Sequence, residues 1–260
     1  MKLHLPGRYF MAGLLLLVTA AVLIGIALLT NRGDMTSAAV VISGMVCAVT
    51  GIFILTFSGG EPIDPRLVGI LPAQDLITIC RIAADLGING NACFLPPRVC
   101  GESRVMLFNP VFTYDGRNVQ PGDSFPLSGP AGLVTVPPCD PLVRELTSEN
   151  ALVKTDSREE ITRLLREAIS GTFEFAPDLS VRWQDDTVTV SIHGYRFTDG
   201  CRVIARESPQ CCHLHPCAVC SLCGVLIAGS LDRVVSLDQC SLDASSPDVT
   251  AVFSLLKNPE

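Results

Sequence analysis

Two uninterrupted apolar runs open the chain. Tyr9 to Leu29 (YFMAGLLLLVTAAVLIGIALL) and Ala38 to Phe57 (AAVVISGMVCAVTGIFILTF) carry no charge. At about 1.5 Å per residue, a helix of either length crosses a hydrocarbon core of roughly 30 Å. Thr30 to Ser37 (TNRGDMTS) joins them, with one glycine and two opposite charges. The pattern predicts a transmembrane hairpin over residues 1–57, with the bilayer as its first partner. A cleaved signal peptide is the competing reading of the first run. That run is longer than the ~7–15 residues of a signal h-region, no A-x-A site follows, and a second run comes directly after it.

Beyond Ser58 the apolar residues become periodic. Ser58 to Leu71 is rich in Gly and Pro and reads as a linker. From Pro72 a helix–strand–strand order recurs three times. The first unit has Leu76, Ile79, Cys80, Ala83 and Leu86 at helical spacing, then apolar strands at Ala92–Leu95 and Arg104–Phe108. The second opens on a capping box, Ser157 with Glu160, followed by the stripe Ile161, Leu164, Leu165, Ala168 and Ile169. Its strands alternate through Leu179, Val181 and Trp183, turn at Asp185-Asp186, and return through Val188, Val190 and Ile192. The third begins at Pro216, placed in the first turn because it lacks an N–H. Val219, Leu222, Cys223, Leu226 and Ile227 form its stripe, and strands run at Val234–Leu237 and Val249–Leu255. Pro141–Glu149 reads as an extra helix after the Pro/Gly-rich stretch Asn109–Pro138.

The fold expected is α+β: a transmembrane hairpin, then a domain over 72–256 built from repeated helix–strand–strand units. The last two units in series are a circular permutation of the ferredoxin-like motif. Their two helices are expected on one face of the sheet.

Charge adds a side. Lys2 and Arg8 precede the first run and only Arg32 lies in the loop. Positive flanks stay inside, so the N-terminus and the domain are both expected in the cytoplasm of a multi-pass membrane protein. The part after Ser58 holds 25 of the 26 acidic residues and 16 of the 19 basic ones. Such an acidic domain excludes nucleic acid as a partner and leaves a membrane or cytoplasmic protein.

Twelve cysteines change the picture most: in a cytoplasmic domain metal, cluster or packing come before disulfides, whereas outside the cytoplasm the same cysteines read as a disulfide framework. Cys211 to Gly224 reads CCHLHPCAVCSLCG. Cys217, Cys220 and Cys223 have the C-x2-C-x2-C spacing that supplies three thiolates to an iron–sulfur cubane, with Cys240 as a distant fourth. Alternatively Cys217 and Cys220, with Cys212, His213 or His215, supply four ligands to zinc. The metal set favoured is Cys212, His215, Cys217 and Cys220. Thiols three apart on a helix turn by about 60°, so Cys217 and Cys223 diverge by about 120° and three cannot converge without unwinding. Glu207–His215 is read as the flexible segment that folds back. Plain packing is the leading reading ahead of any metal or cluster, since cysteine is small and buries readily and Cys223 on the core stripe needs no other explanation. A redox role would rest on Cys217, where a helix N-terminus lowers thiol pKa. Cys47 and Cys80 read as apolar filler, and Cys93, Cys100, Cys139 and Cys201 have no paired spacing. His193 reads as an edge residue and Trp183 as core.

No P-loop, G-x-G-x-x-G, G-x-S-x-G or H-E-x-x-H occurs. The expectation is a membrane-tethered binding or interaction module without enzymatic activity, with metal or iron–sulfur binding as the alternative.

FLPP (Phe94–Pro97), GLVTVPPCDPLVREL (Gly132–Leu146) and PCAVCSLCGVLIAGSLDRVV (Pro216–Val235) resemble stretches of an uncharacterised archaeal protein family of methanogens and halophiles. The resemblance covers Leu71 to Leu256. It implies a shared fold, an archaeal origin and an occasional membrane anchor, and it supplies no catalytic residue. The pairs at Cys211–Cys212 and the thiol at Cys223 exceed that family's pattern.

Topology is open to direct measurement. With both termini in the cytoplasm, an impermeant thiol reagent should label the domain only after cell lysis. Labelling of its cysteines in intact cells would reverse the orientation.

Overall fold

The computed structural model describes residues 8–30, 35–57, 64–119, 124–125, 130–149, 155 and 157–258. Lys2, the loop residues Arg32 and Asp34, residues 58–63 of the linker and parts of the 109–138 stretch lie outside these. The chain divides into two units, Met1–Ile63 and Asp64–Glu260.

The first unit is a pair of helices, α1 (Arg8–Thr30) and α2 (Met35–Phe57), of 23 residues each. Each is about 35 Å long. Leu15, Val18, Val22 and Leu29 on α1 and Ile42, Met45, Val49 and Phe53 on α2 are exposed, as a lipid-facing surface requires. Small residues fill the contact between the two. A Cβ on Gly44 would lie 2.9 Å from Ile24 Cγ1, and one on Gly51 would lie 3.0 Å from the Gly13 carbonyl oxygen. Gly44 and Gly51 are seven residues apart, two turns, so they share a face without a G-x-x-x-G motif.

The second unit starts inside the expected linker. Asp64 caps a short helix, α3 (Pro65–Ile70), by accepting the Arg66 N–H at 2.9 Å. Then come α4 (Ala73–Asp85), β1 (Cys93–Leu95), α5 (Pro97–Cys100), β2 (Met106–Pro110), β3 (Gly132–Thr135) and α6 (Asp140–Glu149). The second helix–strand–strand unit is α7 (Arg158–Arg166), extended by a π-turn over Glu167–Thr172, with β4 (Asp178–Gln184) and β5 (Thr187–His193). Two helices follow, α8 (Thr198–Glu207) and α9 (Cys211–Leu214), before α10 (Ala218–Leu231), β6 (Val235–Leu242) and β7 (Val249–Leu255).

The seven strands form one antiparallel sheet in the order β3-β2-β1-β6-β7-β5-β4. Alternation along β5 and β7 puts Val188, Val190 and Ile192, and Val249, Ala251, Phe253 and Leu255, in the core. Ile161, Leu165 and Ile169 pack into that same core with Val219, Leu222 and Leu226, so α7 and α10 share one side of the sheet. Each fully buried Leu or Ile there contributes roughly 1.5–3 kcal/mol. The β4–β5 turn falls at Asp185, whose φ of 48° suits a short polar side chain. At the start of α7 the Ser157 hydroxyl accepts the Glu160 N–H, as a capping box requires. The return bond is indirect: Ser157 N–H donates to the Thr155 hydroxyl, which donates to the Glu160 carboxylate.

Several expectations shift. Residues 65–70 are helix rather than linker. The second strand runs over Met106–Pro110, because Arg104 leaves the sheet to pair with Asp140 at 3.2 Å. Pro216 lies outside α10, whose N-cap is Cys217. The segment Glu207–His215 ends α8 and contains α9, with Cys211 fully buried. It is held by Ala92 N–H to the His213 carbonyl at 2.8 Å and by the Asn109 amide, which donates to the Leu214 carbonyl. The sequence pattern missed α8 and α9 because their inward positions, Thr198, Gly200, Ile204 and Cys211, make no run of large apolar side chains. Finally, α10 is buried almost all round instead of along one stripe.

Burial of α10 depends on a close approach at Gly224, where an added Cβ would overlap the Phe94 ring of β1. Gly229 is different: its nearest neighbour, Val105 Cγ2, would be 3.5 Å from such a Cβ, an ordinary contact. Alanine gains about 1 kcal/mol of helix propensity at either site. Overpacking costs about 1–3 kcal/mol. Gly224→Ala should therefore lower the melting temperature of the detergent-solubilised protein, while Gly229→Ala should raise it or leave it unchanged.

Candidate functional site

Five cysteines meet where four elements converge on the N-terminal end of α10. The helix α8 brings Cys201, α9 brings Cys212, α10 brings Cys217 at its N-cap and Cys220 in its first turn, and β6 brings Cys240. The N-cap residue has φ −62° and ψ 166°, so Cys217 is extended rather than helical. The 60° rotation that separates thiols on a regular helix therefore does not apply between Cys217 and Cys220.

Cys240 arrives by a β-bulge. Along β6 and β7, Leu237 opposes Phe253, but Gln239 opposes Val252 and Cys240 opposes Ala251. Asp238 is thus an extra residue. A regular strand would put Leu237 and Cys240, three residues apart, on opposite faces. With the bulge both face the side that carries α10.

The sulfurs form a string in the order Cys201, Cys217, Cys220, Cys240, Cys212. Cys220 Sγ and Cys240 Sγ are 3.7 Å apart. Cys217 accepts from Cys201 and Cys220, which holds its thiol well below the ordinary range, helped by the N–H groups of Cys220 and Val219. Cys240 is likewise held low, by Cys212 and then Cys220 beside it, with His213 contributing. The donors are pushed up: Cys201 by its bond to Cys217, Cys212 by its bond to Cys240, and Cys220 by both.

Of the four expected metal ligands, Cys212, Cys217 and Cys220 come together here. His215 is buried, and desolvation alone lowers its pKa; none of the five thiols acts on it. His213 turns its Nδ1 to the Asp238 carbonyl at 3.1 Å. Among the described residues no three His, Cys, Asp or Glu side chains have converged around one point, so the sulfurs make a string and not a formed coordination sphere. Cys223 lies in the core with its thiol pushed up to about 12 by burial. Beside the string, Cys80 of α4 and Cys211 of α9 are joined as a disulfide with Cα atoms 5.6 Å apart. Cys80 is therefore a cross-link rather than filler. Spacing alone could not pair it with a residue 131 positions away, nor single out Cys201.

One end of the string opens into a cavity of about 350 Å³. Leu76, Leu142, Phe175 and Phe197 supply apolar walls, and Tyr195, Cys201 and Cys217 its polar points. Cys201 and Cys217 are half-buried because they face this space. Desolvation pushes the Tyr195 hydroxyl well above its ordinary value, with Cys217 beside it. A larger cavity of about 550 Å³ lies between α5, α6 and α10. Its two arginines, Arg104 and Arg144, are already paired with Asp140, at 3.2 and 2.8 Å.

One more constellation has catalytic connectivity. Ser180 Oγ is 3.0 Å from His193 Nε2, and His193 Nδ1 is 3.1 Å from Asp248 Oδ2. Asp248 Oδ1 also accepts the Gly194 N–H at 2.9 Å. All three lie toward solvent on the sheet, and none lines either cavity. A triad needs an oxyanion site and a place for substrate. Here the bonds tie β4, β5 and the approach to β7 together. Trp183, expected in the core, is half-buried, with its indole N–H donating to the Thr162 hydroxyl at 3.0 Å.

Residues 11–253 match the family described as Domain of unknown function (DUF7982), and the chain belongs to that family. No curated protein matches the chain, and no solved structure does.

Buried His215 gives the site a pH signature. Its pKa is lowered from an ordinary 6.5, so the unfolded chain takes up this proton before the folded one. Stability is full above about pH 6.5 and is lost as pH falls from there toward the folded pKa. Between pH 7 and pH 5 the melting temperature of the wild type should drop further than that of His215→Gln. Parallel pH profiles would rule the effect out.

Proposed function

We propose that this family member is a membrane-anchored binding module, with a cytoplasmic α+β domain that takes a small apolar molecule into the cavity beside the thiols. Among the described residues, four helical segments are long and apolar enough to cross a membrane: Met11–Thr30, Thr36–Thr56, Pro65–Asp85 and Cys211–Leu231. The first two support the anchor. The last two are broken by turns at Leu71–Pro72 and at His215–Cys217, and 72% of the Cys211–Leu231 window is buried within the protein. They are better read as parts of the domain, which gives two passes. The order β6-β7-β5-β4, with α7 and α10 on one side, supports a circularly permuted ferredoxin-like half.

The observation that carries the reading is the 350 Å³ cavity. Small-molecule sites are apolar concavities of roughly 300–1,000 Å³ with a few convergent polar groups. Tyr195, Cys201 and Cys217 are such groups. A protein of the membrane or cytoplasm fits as a further partner; the acidic domain is a poor match for nucleic acid.

The cavity can be probed through Cys217, the thiol held low among its lining residues. In the full chain held in nanodiscs, N-phenylmaleimide should modify Cys217 about ten-fold faster than a charged maleimide of similar size, as an apolar site demands. Ala218→Trp, which fills the cavity, should remove that preference. Equal rates for the two reagents, or a preference that survives Ala218→Trp, would count against the pocket as a binding site.

A further inference from the structure

We propose that the outer edge of β4 pairs with β4 of a second copy of this chain, antiparallel and centred on Ser180, so that two domains share one continuous sheet. The inference does not depend on the cavity having a ligand.

The two edges of the sheet are finished differently. The strand β3 has four residues, and its outward Val134 N–H already donates to the Ser124 carbonyl at 2.7 Å. The strand β4 has seven, all paired with β5 in unbroken register. It holds no proline, glycine or bulge, the devices that blunt an edge. The hairpin decides which of its backbone groups are outward. Gln184 opposes Thr187 across the two-residue turn, so Gln184, Arg182, Ser180 and Asp178 exchange bonds with β5. Leu179, Val181 and Trp183 therefore turn their N–H and C=O groups away from the sheet. Among the described residues these N–H groups have no partner. The Arg166 guanidinium donates to the Leu179 carbonyl at 3.3 Å, and a carbonyl can accept a second bond.

An open edge alone does not choose its occupant. Charge does. Asp178 and Arg182 are exposed on the polar face, and among the described residues neither has an ion-pair partner. Four residues apart on one strand, they stand roughly 13 Å from each other and cannot pair within the chain. A two-fold axis through Ser180 sets Asp178 opposite the copy's Arg182, and Arg182 opposite the copy's Asp178. These are non-hydrogen-bonded positions, with Cα atoms about 4.5 Å apart and side chains at their closest.

The outward backbone groups fit the same register. Leu179 exchanges bonds with the copy's Val181. The Trp183 N–H meets the copy's Pro177 carbonyl, and the ladder ends there because proline has no N–H. On the core side, the half-buried Val181 and Trp183 gain cover. Moving the axis to Val181 sets Asp178 against Gln184, and moving it to Arg182 sets arginine against arginine. The strand is thus complementary to itself in one register. Confinement of both chains to one bilayer raises their effective concentration and favours the pair.

The test uses the full chain in proteoliposomes. Ser180→Cys puts two thiols across the axis with Cα atoms about 4.5 Å apart, within disulfide range. Oxidation with copper phenanthroline should then join chains in pairs through position 180. Ser191→Cys changes the neighbouring position on β5. It would stand roughly 14 Å from its counterpart, three strand spacings away, and should not join above the wild-type background. In the Ser180→Cys background, Asp178→Arg or Arg182→Asp should cut the joined fraction about ten-fold, and the two together should restore it. Circular dichroism identifies a variant that fails to fold. Wild-type amide exchange then decides: Leu179, Val181 and Trp183 should exchange about ten-fold faster when the chain is diluted with lipid, while Ser180 and Arg182 should not change. The proposal is overturned by the lack of a disulfide at position 180, by one that survives the single charge reversals, by a double reversal that restores nothing, or by exchange indifferent to dilution.

Discussion

Helix α10 is buried on nearly every side, and the rest of the domain is arranged around that burial. A helix without a polar face must be enclosed. Here β1 and β6 lie beneath it, and α6 and α7 flank it. The enclosure is possible only because Gly224 lets the helix axis approach the Phe94 ring. Once α10 is fixed in that slot, its first turn is fixed too. Cys217 and Cys220 are then delivered to the place where β6, α8 and α9 also present sulfur.

Cysteine serves two physical purposes in this molecule. Where it is isolated it behaves as a small apolar residue, with burial raising its pKa and suppressing its reactivity, as at Cys93 and Cys100. Where it clusters, neighbouring thiols act on one another, and Cys217 and Cys240 are held below their ordinary range by the thiols beside them. The difference lies in the neighbours and not in the residue. The Cys80–Cys211 bridge is a third use: it ties α9 to α4 across the middle of the chain and so fixes the residue that follows it, Cys212.

The anchor follows a separate logic. Lipid offers no hydrophobic gain for bringing two apolar helices together, so contact must come from close packing. Gly13, Ala20, Gly44 and Gly51 supply it by leaving room for Leu55, Ile24 and Leu17. Leu15, Val18, Val22, Ile42, Met45 and Val49 point outward and make the kind of apolar surface that a bilayer accepts.

Much of this was legible in the sequence. Uninterrupted apolar length gave α1 and α2, and periods of 3.6 and 2 gave α4, α7, β4, β5 and β7, because these elements bury one face and expose another. Cys212, Cys217 and Cys220 were marked as candidates by local spacing. The remainder was set by contacts between distant residues. The bulge at Asp238 that turns Cys240 inward, the pairing of Cys80 with Cys211, the use of Cys201, and the burial of His215 away from the thiols all depend on how separate elements dock. Helices α8 and α9 left no long apolar stripe, since Ile204 is the one large side chain that α8 buries fully and Cys211 the one residue that α9 does. Local pattern records which face of an element is apolar. It cannot record which distant side chain fills the space opposite, and at the thiol cluster that choice belongs to the tertiary structure alone.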